Sequence, residues 1–259
     1  MGLGTILLLF VLSIVFKQDF FSLVGGISGG GMGGAPMGQA PSAPYQTSPE
    51  EEEMVDFMSF LLEDNHAVWT KLFPALGQQY GRSNMVIFSE ATSSGCGFAQ
   101  SATGPFYCPA DEKVYLDLTF FRELASRFGA PGDFAQAYVV AHEIGHHVQQ
   151  ELGIERQMRS MQRQRPDLKN QLSVRMELQA DCFAGVWAHD AAQRNLLEPG
   201  DLQEGLGAAA AVGDDRLQKQ AGRYVNPESF THGTSAQRQE WFQIGFRTGD
   251  PSACDTFNS

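Results

Sequence analysis

The sequence predicts a mostly helical α+β domain with a small β-sheet, carried behind an N-terminal membrane anchor. Two long stretches, residues 133–150 and roughly 172–193, hold apolar residues over helix-length windows. The runs Met85–Phe88 and Val114–Leu118 are strand-length, rich in β-branched or aromatic residues and bounded by turn formers. Of the 259 residues, 42% are apolar and 19% charged, a globular balance with room for one core and a tail.

The first element is apolar. Leu3 to Phe16 is broken only by Gly4, Thr5 and Ser13. Fourteen helical residues span about 21 Å, short of a hydrocarbon core of about 30 Å. Phe20, Phe21, Leu23 and Val24 extend the run across Lys17, Gln18 and Asp19. A secretory signal is the competing reading, but Met1-Gly2 offers no basic side chain and no Ala-x-Ala site follows closely. Residues 1–24 are therefore read as an uncleaved anchor. Residues 25–49, dominated by Gly, Ser, Pro, Ala and Met without periodicity, are read as a tether. Residues 50–259 form the domain, and Glu50 to Glu53 are expected to be its solvated linker end.

The domain opens with a helical stretch from about Glu52 to Tyr80, broken near Pro74. His66 within it is expected to be exposed or capping rather than a metal ligand. The strands Met85–Phe88 and Val114–Leu118 follow. The helix over residues 133–150 comes next, with Asp133 as N-cap after Pro131-Gly132 and Gly153 as stop.

This helix contains His142-Glu143-x-x-His146. Residues four apart share a helix face, so both imidazoles can reach one metal ion, with Glu143 placed to take a proton from a metal-bound water. Gly145 weakens the helix by about 1 kcal/mol relative to Ala, which a close neighbour over that turn would explain. His147 lies about 100° round the helix from His146 and is assigned to packing or support.

Catalytic zinc takes three protein ligands, so a third is needed. Glu177 and Asp181, four apart in the apolar helix from about Leu172 to Gln193, are the candidates. A buried carboxylate pair is costly unless it binds a cation or accepts hydrogen bonds. Glu177 is read as the ligand, and Asp181 as acceptor of a ligand imidazole N–H. The competing reading pairs these carboxylates with Arg175 and Arg194, or with solvent.

The segments Gly104–Pro109, Val114–Leu118, Ala137–His147, Glu177–Cys182, Gly213–Arg216 and Phe230–Ser235 resemble, in this order, the bacterial family of membrane-anchored neutral zinc metallopeptidases. The resemblance covers well over half the chain. It implies a zincin-like fold, and it is similar to the wider group in which a downstream Glu-x-x-x-Asp supplies the third ligand and a supporting carboxylate. By analogy with such folds, Val114–Leu118 is expected to line the cleft and offer its edge to an extended peptide. Family members carry a charged, polar leader before the anchor. Met1-Gly2 offers none, so the expectation is a late start or a lost leader.

The cysteines are Cys96, Cys108, Cys182 and Cys254, with no Cys-x-x-Cys pair. Three pairings are open. Cys96 with Cys108 would close a Gly-rich excursion, and Cys182 with Cys254 would tie the ligand helix to the C-terminal tail. Such bridges suit an extracytoplasmic domain, and the competing reading is four free thiols. Near the C-terminus, Thr234 and Gln237 have capping-box spacing, which puts His232 in a loop just before a helix. His232 is the candidate oxyanion stabiliser, against a purely structural hydrogen bond, with Tyr224 the weaker alternative. Asp214 and Asp215 are left as support or salt bridges, and His189 has no assigned partner.

A net charge of −12 argues against nucleic acid as a partner. The reading is a Zn2+-dependent peptidase with a protein or peptide substrate. Its metal ligands are His142, His146 and Glu177, Glu143 is the general base, and it works through a zinc-activated water. The resemblance places it as a single-pass protein of the bacterial inner membrane with its catalytic domain in the periplasm. The competing functions are a non-catalytic zinc scaffold at the membrane and a hydrolase of a non-peptide amide.

Overall fold

The computed structural model describes residues 48–100, 104–126 and 129–258. The anchor and nearly all of the tether lie outside them. Among the described residues no helix is long and apolar enough to cross a membrane.

Helix α1 (Pro49–Leu72) begins in a capping box between Ser48 and Glu51, with Glu50, Glu51 and Glu52 in its first turn. The acidic run is thus the start of a helix, where carboxylates face the positive end of the backbone dipole, and not the end of a solvated linker. A 3₁₀ turn over Phe73–Leu76 follows at Pro74. His66 is buried rather than exposed, its nitrogens bonded to the Tyr80 hydroxyl at 2.9 Å and the Ser83 carbonyl at 3.0 Å.

Five strands come next: β1 (Asn84–Phe88), β2 (Ala91–Ser94), β3 (Gly97–Gln100), β4 (Phe106–Cys108) and β5 (Lys113–Asp117). β2 and β3 form an antiparallel hairpin. The other three form a sheet of order β1-β5-β4, with β1 parallel and β4 antiparallel to β5. This corrects one expectation. β5 (the Val114–Leu118 run) is the central strand, hydrogen-bonded on both sides, and β1 and β4 are the edges. Chain order hides this because β5 inserts between β1 and β4.

The helices that follow are α2 (Leu118–Ser126), α3 (Asp133–Glu151), α4 (Ile154–Gln164), α5 (Lys169–Gln193), α6 (Asp201–Ala211), α7 (Asp214–Gln220) and α8 (Ser235–Thr248). Asp133 is the first residue of α3 rather than its cap. Gly132, at φ 123°, takes the cap position without a side-chain bond. Gly153 ends the α3 region in the left-handed conformation at φ 73°, as a stop residue should.

α3 is the central helix, packed against α1, α5, α6 and the sheet. Nearly all its side chains from Phe134 to Gln149 are buried. Gly145 has the close neighbour its position implies, since a Cβ there would stand 2.9 Å from the Ala180 carbonyl of α5. α5 and α8 are closer still: a Cβ on Gly245 would fall 1.9 Å from the Cys182 carbonyl. The disulfides Cys96–Cys108 and Cys182–Cys254 both form, the first tying the β2–β3 turn to β4 and the second tying α5 to the C-terminal segment.

Candidate metal centre

α3 and α5 cross where Gly145 meets Ala180, and this contact brings the two motifs together. Donor atoms of His142, His146 and Glu177 all lie within 4.8 Å of one another. His142 Nε2 is 3.2 Å from one Glu177 carboxylate oxygen, and His146 Nε2 is 3.6 Å from the other. Both imidazoles thus aim the same nitrogen at one point. Two nitrogens and one carboxylate oxygen are a donor set suited to catalytic zinc, with a coordination position left over.

The nitrogens facing away are also held. His142 Nδ1 is 2.9 Å from Asp181 Oδ1, and His146 Nδ1 is 2.9 Å from Gln149 Oε1. With a metal in place, each imidazole would keep its proton on Nδ1 and turn Nε2 to the metal. Burial disfavours the charged forms here, yet mutual attraction wins. Glu177 is held well below the usual carboxylate range by the His146 and His142 rings, and Glu177 lifts His146 to about 9 against its burial. A site that binds protons this way without metal has the negative charge and the bases that a dication would use.

These residues line a cavity of about 720 Å³ together with Glu143, His232 and the β4 region from Gly104 to Tyr107. Glu143 is buried, and no described residue hydrogen-bonds to its carboxylate. The arrangement of two imidazoles, a carboxylate and a free glutamate beside a cavity agrees with what the whole chain matches. Residues 1–257 fit the model of a family described as "Putative neutral zinc metallopeptidase". The chain belongs to this family. Among relatives, the Escherichia coli K12 protein named "Uncharacterized protein YpfJ" is 53% identical over 211 residues, covering 81% of this chain and 74% of that one. "Uncharacterized protein Mb2605" of Mycobacterium bovis is 48% identical over 204 residues, covering 74% of this chain and 67% of that one. No solved structure matches.

Other residues of this family member also hold the site. Arg238 of α8 is buried and grips Asp181 with two nitrogens, Nε to Oδ2 at 2.8 Å and Nη2 to Oδ1 at 2.9 Å. Its Nη2 also donates to the Tyr138 hydroxyl at 3.1 Å, and that hydroxyl donates to Asp181. Asp181 therefore stays ionised despite full burial, chiefly because of Arg238. Neither Arg175 nor Arg194 takes part: Arg175 donates to the Phe257 carbonyl, and Arg194 pairs with Asp64 and Asp190.

His232 reaches the cavity from the loop before α8, whose capping box between Thr234 and Gln237 is present. Asp214 fixes this loop by accepting the backbone N–H groups of Thr231, His232 and Gly233 at 2.8, 2.7 and 3.1 Å. The same carboxylate lies 3.1 Å from His232 Nδ1 and raises the pKa of that imidazole. Asp215 instead anchors Ser235. Tyr224 is 98% exposed and lies outside the cavity lining. His147 packs, bonded to the Tyr107 hydroxyl and the Gly81 carbonyl, and His189 is bonded to the Phe246 carbonyl.

Proposed function

We propose that this protein is a zinc-dependent endopeptidase with a zincin-like catalytic domain. The observation that carries the proposal is the convergence of His142, His146 and Glu177 beside the unpartnered Glu143 on one cavity. When bound, zinc would supply a Lewis acid for the scissile carbonyl and make an adjacent water easier to deprotonate. Glu143 takes the proton from that water and returns it to the leaving amine. Burial without a hydrogen-bond partner suits this role, because no protein contact must break before the carboxylate acts.

His232, which lines the same cavity, would donate a hydrogen bond to the oxyanion of the tetrahedral intermediate. Asp214 holds its Nδ1, which leaves Nε2 as the donor and favours the protonated ring. An extended substrate would add to the edge of β4 that no other described strand pairs with, where Phe106 and Tyr107 line the cavity. The apolar run Leu3–Phe16, the Gly-rich tract behind it and the two disulfides support a domain tethered on the outer side of a membrane.

The test is Glu143→Gln against His142→Ala, each assayed for zinc content and for cleavage of a peptide library. Glu143→Gln is expected to keep zinc and lose cleavage, whereas His142→Ala is expected to lose both. Cleavage retained by zinc-loaded Glu143→Gln protein overturns the mechanism.

A further inference from the structure

The two histidines of the candidate metal centre are supported by unlike partners. His142 rests on a charged pair, Asp181 and Arg238. His146 rests on a neutral row of amides that begins at Gln149, one helical turn further along α3. Gln149 is completely buried, and Gln179 of α5 nearly so.

The direction of this row is fixed by its ends. Gln149 Nε2 lies 2.7 Å from the Met176 carbonyl and 3.1 Å from Gln179 Oε1. A backbone carbonyl can only accept, so the nitrogen of Gln149 must face Met176 and its oxygen must face His146. Gln179 Nε2 in turn donates to the Cys254 carbonyl at 2.9 Å, which leaves its own oxygen for Gln149. Reversing either amide would set oxygen against oxygen inside the core. The Cys254 carbonyl is itself held by the Cys182–Cys254 bridge, and Cys182 stands one turn after Gln179 on α5. Met176, the other acceptor, directly precedes Glu177.

We infer that Gln149 and Gln179 are positioning residues for the metal, with the Cys182–Cys254 bridge as their anchor. The row starts at a disulfide-held carbonyl and ends at His146, where it demands a proton on Nδ1 and so presents Nε2 to the metal. The C-terminal segment thereby sets the state of a ligand it never touches. The inference rests on the zinc reading above, but it makes a separate claim about which groups fix the affinity.

The experiment measures the zinc dissociation constant of the full chain by competition with a chromogenic chelator. His146→Ala is the control, and Gln149→Met, Gln149→Glu, Gln179→Met and the paired Cys182→Ala/Cys254→Ala are the variants. Gln149→Met keeps the size of the side chain and removes the acceptor, and is expected to weaken zinc binding about 10- to 100-fold. Gln149→Glu keeps an acceptor for His146 while losing both donor bonds. It is expected to unfold at a lower temperature yet bind zinc nearly as the wild type does, a split that a packing role would not produce. Gln179→Met and the bridge variant are expected to weaken binding by smaller factors, and they decide the matter if Gln149→Met does not fold. Wild-type zinc affinity in folded Gln149→Met or, failing that, in Gln179→Met overturns the inference. So does equal loss in Gln149→Met and Gln149→Glu. If the wild type binds no zinc, or binds it as tightly without His146, the metal reading fails first.

Discussion

Replacing Arg238 with Met tests how much of the site depends on one buried cation. Arg238 and Asp181 are joined by two short hydrogen bonds, and both side chains are almost fully enclosed. With charge centres about 4 Å apart, the attraction is about 4 kcal/mol at an effective dielectric constant of 20. Losing the cation also leaves Asp181 buried and unpaired, which places the expected destabilisation at about 3–5 kcal/mol. Asp181→Asn should cost a similar amount, because it leaves Arg238 unpaired. The double variant should cost distinctly less than the sum, since neither charge then remains. The assay is urea unfolding of zinc-stripped full-length protein, followed by the fluorescence of its three tryptophans. Effects that add within about 0.5 kcal/mol would refute the reasoning, because residues that act as one unit do not behave as independent sites. A loss of under about 1 kcal/mol for Arg238→Met would do the same.

Two further outcomes follow from the site. His232→Ala should lower kcat by about 10²- to 10³-fold, as loss of an oxyanion donor does, while the zinc content stays unchanged. Steady-state kinetics on any peptide the protein cleaves will check this. Without metal, His146 has its pKa raised to about 9, so its contribution to stability is present in full below about 6.5 and lost as pH rises toward 9. Protons and zinc compete for the same nitrogen, so apparent zinc affinity should climb over that window. Chelator competition at several pH values measures it, and a flat profile contradicts the assigned ligand.

Much of the site could be read from sequence because its parts repeat at helical spacing. His142 and His146, then Glu177 and Asp181, announce themselves as four-residue pairs in apolar helices, and the fold brings these side chains within 2.9–3.6 Å of one another. Arg238 could not be read the same way, because it meets Asp181 across 57 residues of chain and nothing beside it is acidic in a telling pattern. A weaker signal was present. Arg238, Phe242 and Gly245 lie at positions i, i+4 and i+7 of α8, so a cation stands on the buried face of that helix. The sheet edge was misread for a different reason. Strand order is set by long-range pairing, and β4, only three residues long, was not read as a strand from the sequence. His66 was misread because its partners, Tyr80 and Ser83, lie beyond the break at Pro74.

The difference between the two histidine supports has a consequence for charge. Around the metal position stand two ionised carboxylates, Glu177 and Asp181, and one buried guanidinium, Arg238. With the Glu143 carboxylate added and His142 and His146 counted as neutral, these groups sum to two negative charges, so a dication would leave the centre with no net charge. A second carboxylate behind His146 would make the centre negative and weaken the pull on a scissile carbonyl. Gln149 orients His146 as a carboxylate would, without adding charge. A neutral amide in that position would suit the proposed zinc hydrolysis, because it fixes the imidazole and would leave a bound metal electrophilic.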